Sequence, residues 1–341
     1  MVKTSLKAAA VAALALGVVF VPKGISIYQE MEAMKAPRYE TGARQGAAFC
    51  STCHPDEYTA WATRSRHAVA TRADSFLGFR EKMRDSLPLK LMMGDRMCHA
   101  CHGPQDSEEG VDCETCHGIA PEDVPIAQTH RDKFTPGLVV MRESAFCGKC
   151  HDLPGTDIMS VYTEWQASPA GRAGTTCQDC HMGREEGARA DHGFDTAMHN
   201  VGIYEGDVAV TDIRLKFPYL HMAVENRITG HAVPVGGPTR RLVLHVRVLG
   251  PDRERLFTPV YSFGKKATLM AGLMPMELTE NTQIPAGESR AVVFTLPDDL
   301  RNKAARVEVV LQFYEISDEY NGDLERAHWI SAAFFTDGVD L

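Results

Sequence analysis

The chain has 341 residues, 44% of them hydrophobic, and a formal net charge of −9. That length can hold two domains, and the acidic balance argues against a nucleic-acid partner, which would need a basic surface. Beyond the first 30 residues no stretch is long and apolar enough to span a bilayer.

At the N-terminus Lys3 and Lys7 precede an apolar run, residues 8–21, closed by Pro22 and Lys23. A basic flank before a hydrophobic stretch is an export signal. At 14 residues the run suits a cleaved signal peptide and is short for a membrane span. No small-x-small cleavage site follows it, however. Lys7 and Lys23 can snorkel, and Ile25, Ile27 and Tyr28 extend the apolar face. Residues 1–30 are therefore read as an N-terminal membrane anchor helix that places the body on the periplasmic side of the cytoplasmic membrane. The alternative is a cleaved signal and a secreted chain.

All ten cysteines fall into five copies of one pattern: Cys50-Ser-Thr-Cys53-His54, Cys98-His-Ala-Cys101-His102, Cys113-Glu-Thr-Cys116-His117, Cys147-Gly-Lys-Cys150-His151 and Cys177-Gln-Asp-Cys180-His181. Two intervening residues let one tight turn present both sulfurs to one edge of a macrocycle, and the next side chain then faces its metal. This is the pattern of haem c attachment, with two thioether bonds and a proximal histidine. A zinc site would pair Cys-x-x-Cys units without histidine at the same offset each time, and a disulfide would not need the histidine. Five covalently bound haem c groups are expected, with His54, His102, His117, His151 and His181 on the irons. Attachment outside the cytoplasm also accounts for the thiols, which an oxidising compartment would otherwise pair.

The five motifs begin within 128 residues, too little polypeptide for separate cores. Residues 31–205 are therefore expected to form a domain whose core is largely haem, wrapped by loops and short helices over 56–70 and 161–168. The second and third motifs start only 15 residues apart, so their haems should be neighbours.

Nine histidines lie outside the motif positions, and low-potential multihaem proteins fill the sixth iron position with histidine. His67 lies on a predicted helix just after the first motif. His130 follows the third motif in a loop with no other evident task. His192 and His199 come just after the fifth, spaced to serve different irons, and His231 sits in a turn-rich segment that can reach back to the haems. These five are the candidate distal ligands. His99 is constrained inside a motif, His221 and His245 fall in strand-like patterns, and His328 is far from any motif. Met182, next to a proximal histidine, is read as packing on a ring.

From about Val208 the pattern switches to β. Residues 242–249, 291–296 and 306–314 alternate or are fully apolar, and Gly250-Pro-Asp, Pro285-Ala-Gly and Leu296-Pro-Asp-Asp mark turns. Short strands at regular spacing predict a β-sandwich-like domain over 206–341. The fold class is thus α+β.

The run from the first motif through Tyr58, Trp61, Ser65 and His67 resembles the opening haem segment of the multihaem superfamily of hydroxylamine oxidoreductase and the tetrahaem cytochrome of ammonia oxidation. Gly110-Val-Asp before the third motif and Cys177 to Met182 are similar to other repeated segments of that superfamily. Glu225-Asn226, Gly230-His231, Pro234 and Gly236 look like the β-domain appended to many such cytochromes. The resemblance covers most of residues 46–250 through short motifs. It implies stacked, mostly bis-histidine haems with His67, His130, His192, His199 and His231 as distal positions. It departs from the superfamily's nitrite and tetrathionate reductases, which carry lysine in place of a motif histidine.

Bis-histidine ligation keeps iron low-spin with little ligand change on reduction, and histidine rather than methionine lowers the potential. An electron relay is expected, linking a membrane quinol-oxidising complex to another cytochrome or a further redox acceptor, with no residue assigned to catalysis. Two other readings stay open: a reductase or oxidase of a small nitrogen or sulfur compound at one open haem, and a subunit of an extracellular cytochrome filament.

Overall fold

The computed structural model describes residues 46–71, 101–103, 109–117, 141–153, 157–183, 189–194, 206–269, 276–314 and 333–340. The expected anchor and the candidates Cys98, His130 and His199 lie outside these residues. Among the described residues no helix is long and apolar enough to cross a membrane.

The first part is built from short helices that carry the attachment motifs. They are α1 (Ala47–Cys50), α2 (Pro55–Arg64), α3 (Cys113–His117), α4 (Ser144–His151), α5 (Val161–Ala167), α6 (Pro169–Arg172) and α7 (Cys177–His181). In the third, fourth and fifth motifs the expected tight turn is a turn of helix, whereas the first leaves its helix at Cys50; local polar caps explain why segments this short hold together. The Glu109 carboxylate accepts from Ala47 N at 2.7 Å. Asp112 accepts from Thr115 N at 2.8 Å and from Thr115 Oγ1 at 2.7 Å. Thr176 and Asp179 form a reciprocal capping box on α7, which satisfies two otherwise unpaired N–H groups.

The single helix expected over 56–70 is two pieces. α2 begins on Pro55, where a missing N–H costs nothing, and ends at Ser65, whose backbone is extended. The Ser65 side chain then accepts from His67 N at 3.1 Å and caps a 3-10 turn, Arg66–Val69. That break re-aims His67 away from the α2 face.

The second part contains two antiparallel sheets. β1 (Val208–Lys216), β2 (Tyr219–Asn226) and β7 (Ser289–Thr295) form one, in the order β1-β2-β7. The other runs β6 (Met276–Asn281), β5 (Val260–Leu269), β3 (Arg241–Leu249), β8 (Arg306–Tyr314), β9 (Ala333–Asp340), with β4 (Arg255–Phe257) paired to β3. Both sheets contribute to one core: Leu220, Met222, Val224 and Val292 from the first; Leu242, Leu244, Phe263, Val307, Val309, Leu311 and Phe313 from the second. Alternate residues of β8 point inward, the two-residue period of a strand with one face on the core. The opposite face of β3 is partly covered as well: Val243 is buried against Tyr314, while His245 and Arg247 on that face are half-buried.

The two parts are joined directly. Ala170 N donates to Thr229 O at 3.0 Å. Lys265 of β5 is only 1% exposed and reaches across to α5, donating to Ser160 Oγ and Glu164 Oε1, each at 2.8 Å. A lysine survives such burial only when paired.

Candidate haem cluster

The attachment helices are packed side by side. The thiols of Cys50 and Cys113 are hydrogen-bonded, as are those of Cys147 and Cys177 and those of Cys101 and Cys150. The first motif thus adjoins the third, the second adjoins the fourth, and the fourth adjoins the fifth. The fourth and fifth helices are also tied by Cys177 N donating to Ser144 Oγ at 2.9 Å. No disulfide involves any of the nine described cysteines.

Three motif histidines face a candidate from a distant segment. The ring centroids of His117 and His192 are 6.2 Å apart with planes at 24°. Those of His181 and His231 are 6.3 Å apart at 12°, and those of His67 and His151 are 6.0 Å apart at 78°. Two metal–imidazole bonds of about 2.0–2.1 Å, plus about 1.2 Å from each nitrogen to its ring centre, require about 6.4 Å between centroids. The spacing of all three pairs therefore fits a metal held between the rings. Their protonation suits it as well. Burial lowers His67 to about 3 and His151 and His231 to about 4, with the Arg240 charge adding to the effect at the latter two, so these three rings stay neutral as a metal ligand must.

Two of the distal rings, and that of His102, are oriented by backbone carbonyls. His192 Nδ1 donates to Ala190 O at 2.9 Å, His231 Nδ1 to Ala232 O at 3.3 Å and His102 Nδ1 to Ala70 O at 3.2 Å. A carbonyl can only accept, so the proton lies on Nδ1 and Nε2 keeps the lone pair. His67 O accepts from Val111 N at 2.8 Å, locking the 3-10 turn onto the segment that leads into α3. Gly110 has φ of 65°, and a Cβ there would come within 2.2 Å of His67 O, so only glycine fits this approach.

The loop that carries His231 is organised by Asn226, which is fully buried. Its Nδ2 donates to His231 O, Ile284 O and Pro285 O at 3.0–3.1 Å, and its Oδ1 accepts from Ile228 N at 3.0 Å.

Among the remaining candidates, His54 lies 3.9 Å from the Glu57 carboxylate. His245 is elsewhere, on β3, with Nε2 3.2 Å from Tyr314 Oη. His221 is on β2 beside Tyr219. Several supporting residues escaped sequence reasoning. Phe194 sets its ring edge-on to His67, at 4.6 Å, and to His192, at 6.3 Å. Arg64 and Asp191 pair at 2.5 Å beside His192. The Asp-His-Gly order of 191–193 is a signal for an Asx-turn and could have pointed to Asp191; Phe194 and Arg64 carry no such signal.

The family model for cytochrome c554 and c-prime matches residues 49–118, the stretch that holds the first three attachment motifs. No curated protein matches. Among solved structures the chain is similar to a penta-heme cytochrome c552 from Thermochromatium tepidum, with 19% identity and a TM-score of 0.60 over 86% of this chain and 98% of that one. A Pseudomonas fluorescens alkylpurine DNA glycosylase bound to DNA with an abasic-site analog overlaps 84% of this chain and 72% of its own, at 12% identity. Its TM-score of 0.16 carries no argument. Five attachment motifs, imidazole pairs spaced for a metal and the fold of a penta-heme protein agree: the chain is a multihaem c-type cytochrome whose cofactors are five covalently bound haem c groups.

Proposed function

We propose that the chain relays electrons outside the cytoplasm through closed, bis-histidine haems. The observation that carries this reading is the set of three imidazole pairs at 6.0–6.3 Å, each joining a motif histidine to a distant segment. Haem c supplies a one-electron iron couple when bound. The chain's part is to hold His151, His117 and His181 opposite His67, His192 and His231, to keep His67, His151 and His231 neutral, and to pack the attachment helices together. His130 and His199 are proposed for the two remaining irons, as the resemblance to the hydroxylamine oxidoreductase superfamily implies. Histidine at all five motif positions supports a relay over the lysine-ligated reductases.

The apolar run at 8–21 supports placement on the periplasmic side, anchored by residues 1–30. From there the electron donor would be a membrane quinol-oxidising complex and the acceptor another cytochrome. The test is an electron paramagnetic resonance spectrum of the oxidised protein with and without cyanide. Low-spin signals alone, unchanged by cyanide, are expected. A high-spin signal amounting to about one haem in five, converted by the probe, would overturn the closed relay in favour of catalysis at an open iron.

A further inference from the structure

The segment that presents His192, residues 189–194, lies outside regular secondary structure and is fastened to α2 at two points. Glu57, in the first turn of α2, pairs with Arg189 at 2.8 Å, and Arg64, its last residue, pairs with Asp191 at 2.5 Å. The polarity alternates: the helix offers an anion and then a cation, and the segment offers the reverse. Asp191 does more than pair, because its Oδ1 also accepts from Gly193 N at 2.8 Å and so wraps the turn around His192. The Arg64 guanidinium lies against that turn. A Cβ on Gly193 would fall 2.5 Å from Arg64 Cζ, so a side chain there would push the guanidinium aside.

The other two described distal candidates are held differently. His67 sits in a capped turn with its carbonyl bonded to Val111 N, and His231 is held by the buried Asn226 network. The hold on His192 is ionic, and both partners are partly exposed, with 42% of the Arg64 side chain and 35% of the Asp191 side chain accessible. Ion pairs at such exposure weaken in salt. A cavity of about 290 Å³ bordered by Glu57, Arg189 and Asp191 opens beside His192.

We propose that Arg64 and Asp191 are the positioning pair that keeps His192 opposite His117, and that, of the three described imidazole pairs, the one at the third attachment site is the one whose distal ligand can be released to admit a small uncharged ligand. This rests on the bis-histidine reading of that site. Carbon monoxide would take the position that His192 leaves, and nothing would be oxidised or reduced.

The test uses the full-length haem-loaded protein. Haem content is measured first by the pyridine haemochrome assay. Fewer than five haems in the wild type would sink the haem assignment and leave the positioning pair a separate question. Arg64→Gln and Asp191→Asn are then reduced and titrated with carbon monoxide, read by the Soret shift. Both are expected to bind it at one haem per chain where the wild type does not. Arg64→Lys should restore the wild-type response in part, and Lys266→Gln, in an ion pair on the far β5–β6 ladder, should leave it unchanged. The double variant should bind no more than either single one, since the two residues act as a unit. Raising the salt concentration should bring on the same uptake in the wild type, which keeps the test available should a variant fail to accumulate. Carbon monoxide uptake that is the same in wild type and variants, or in low and high salt, would overturn the proposal.

Discussion

Asn226 shows how much one buried amide can govern. It is 0% exposed, and its side chain meets the carbonyls of His231, Ile284 and Pro285 and the N–H of Ile228. Removing it strands buried backbone groups whose desolvation nothing offsets. Asn226→Ala is therefore expected to cost about 2–3 kcal/mol, visible as a lower denaturant midpoint. It should also loosen the turn under His231, so the low-spin signal of the fifth site should broaden. A midpoint within experimental error of wild type would show that water replaces the amide. The pattern Glu-Asn with Gly-His a few residues on was visible in the sequence. That the asparagine faces inward, as a scaffold for the histidine, was not, because nothing local distinguishes a buried asparagine from one in an exposed turn.

Among the elements, the attachment helices are short and depend on their caps. Gly110 is a tightly constrained point in their approach. A side chain there would meet both a positive φ and the His67 carbonyl, so Gly110→Ala should yield protein deficient in haem relative to wild type in a pyridine haemochrome assay. Unaltered loading would mean that the segment shifts to make room. The same elements show why the sequence was only partly readable. Strand β8, residues 306–314, was legible end to end because strict alternation over a core leaves one solution. The helix expected through residue 70 was over-extended, because the periodicity after Trp61 does not reveal that Ser65 turns its hydroxyl back to cap a new turn. The attachment motifs themselves were legible as chemistry without being legible as helix, since their five residues are too few to show a period. The imidazole pairings were not legible at all. They join positions 50 to 84 residues apart in sequence, and only the tertiary fold decides which histidine meets which.

For the whole molecule, the junction between the helical part and the sheets is held at its centre by Lys265, Ser160 and Glu164. Removing the lysine leaves the Glu164 carboxylate without its counter-charge in a largely buried place. Lys265→Met is expected to destabilise by about 3 kcal/mol, discounted at most slightly for the 17% exposure of Glu164. Lys265→Met combined with Glu164→Gln should recover part of that loss in a double-mutant cycle; a strictly additive pair would show that the contact does not couple the two parts. The junction matters because the sheet part contributes an imidazole to the cluster as well as covering it. His181 belongs to the last attachment motif, yet the ring opposite it arrives 50 residues later, on the loop after β2. A chain that leaves the cytoplasm N-terminus first exposes all five attachment sequences before that loop has crossed. On the export and His231 ligation proposed above, the fifth site would be completed later than the other two described pairs. Its closure then depends on the sandwich having formed, so the state of one iron records whether the far end of the chain has folded.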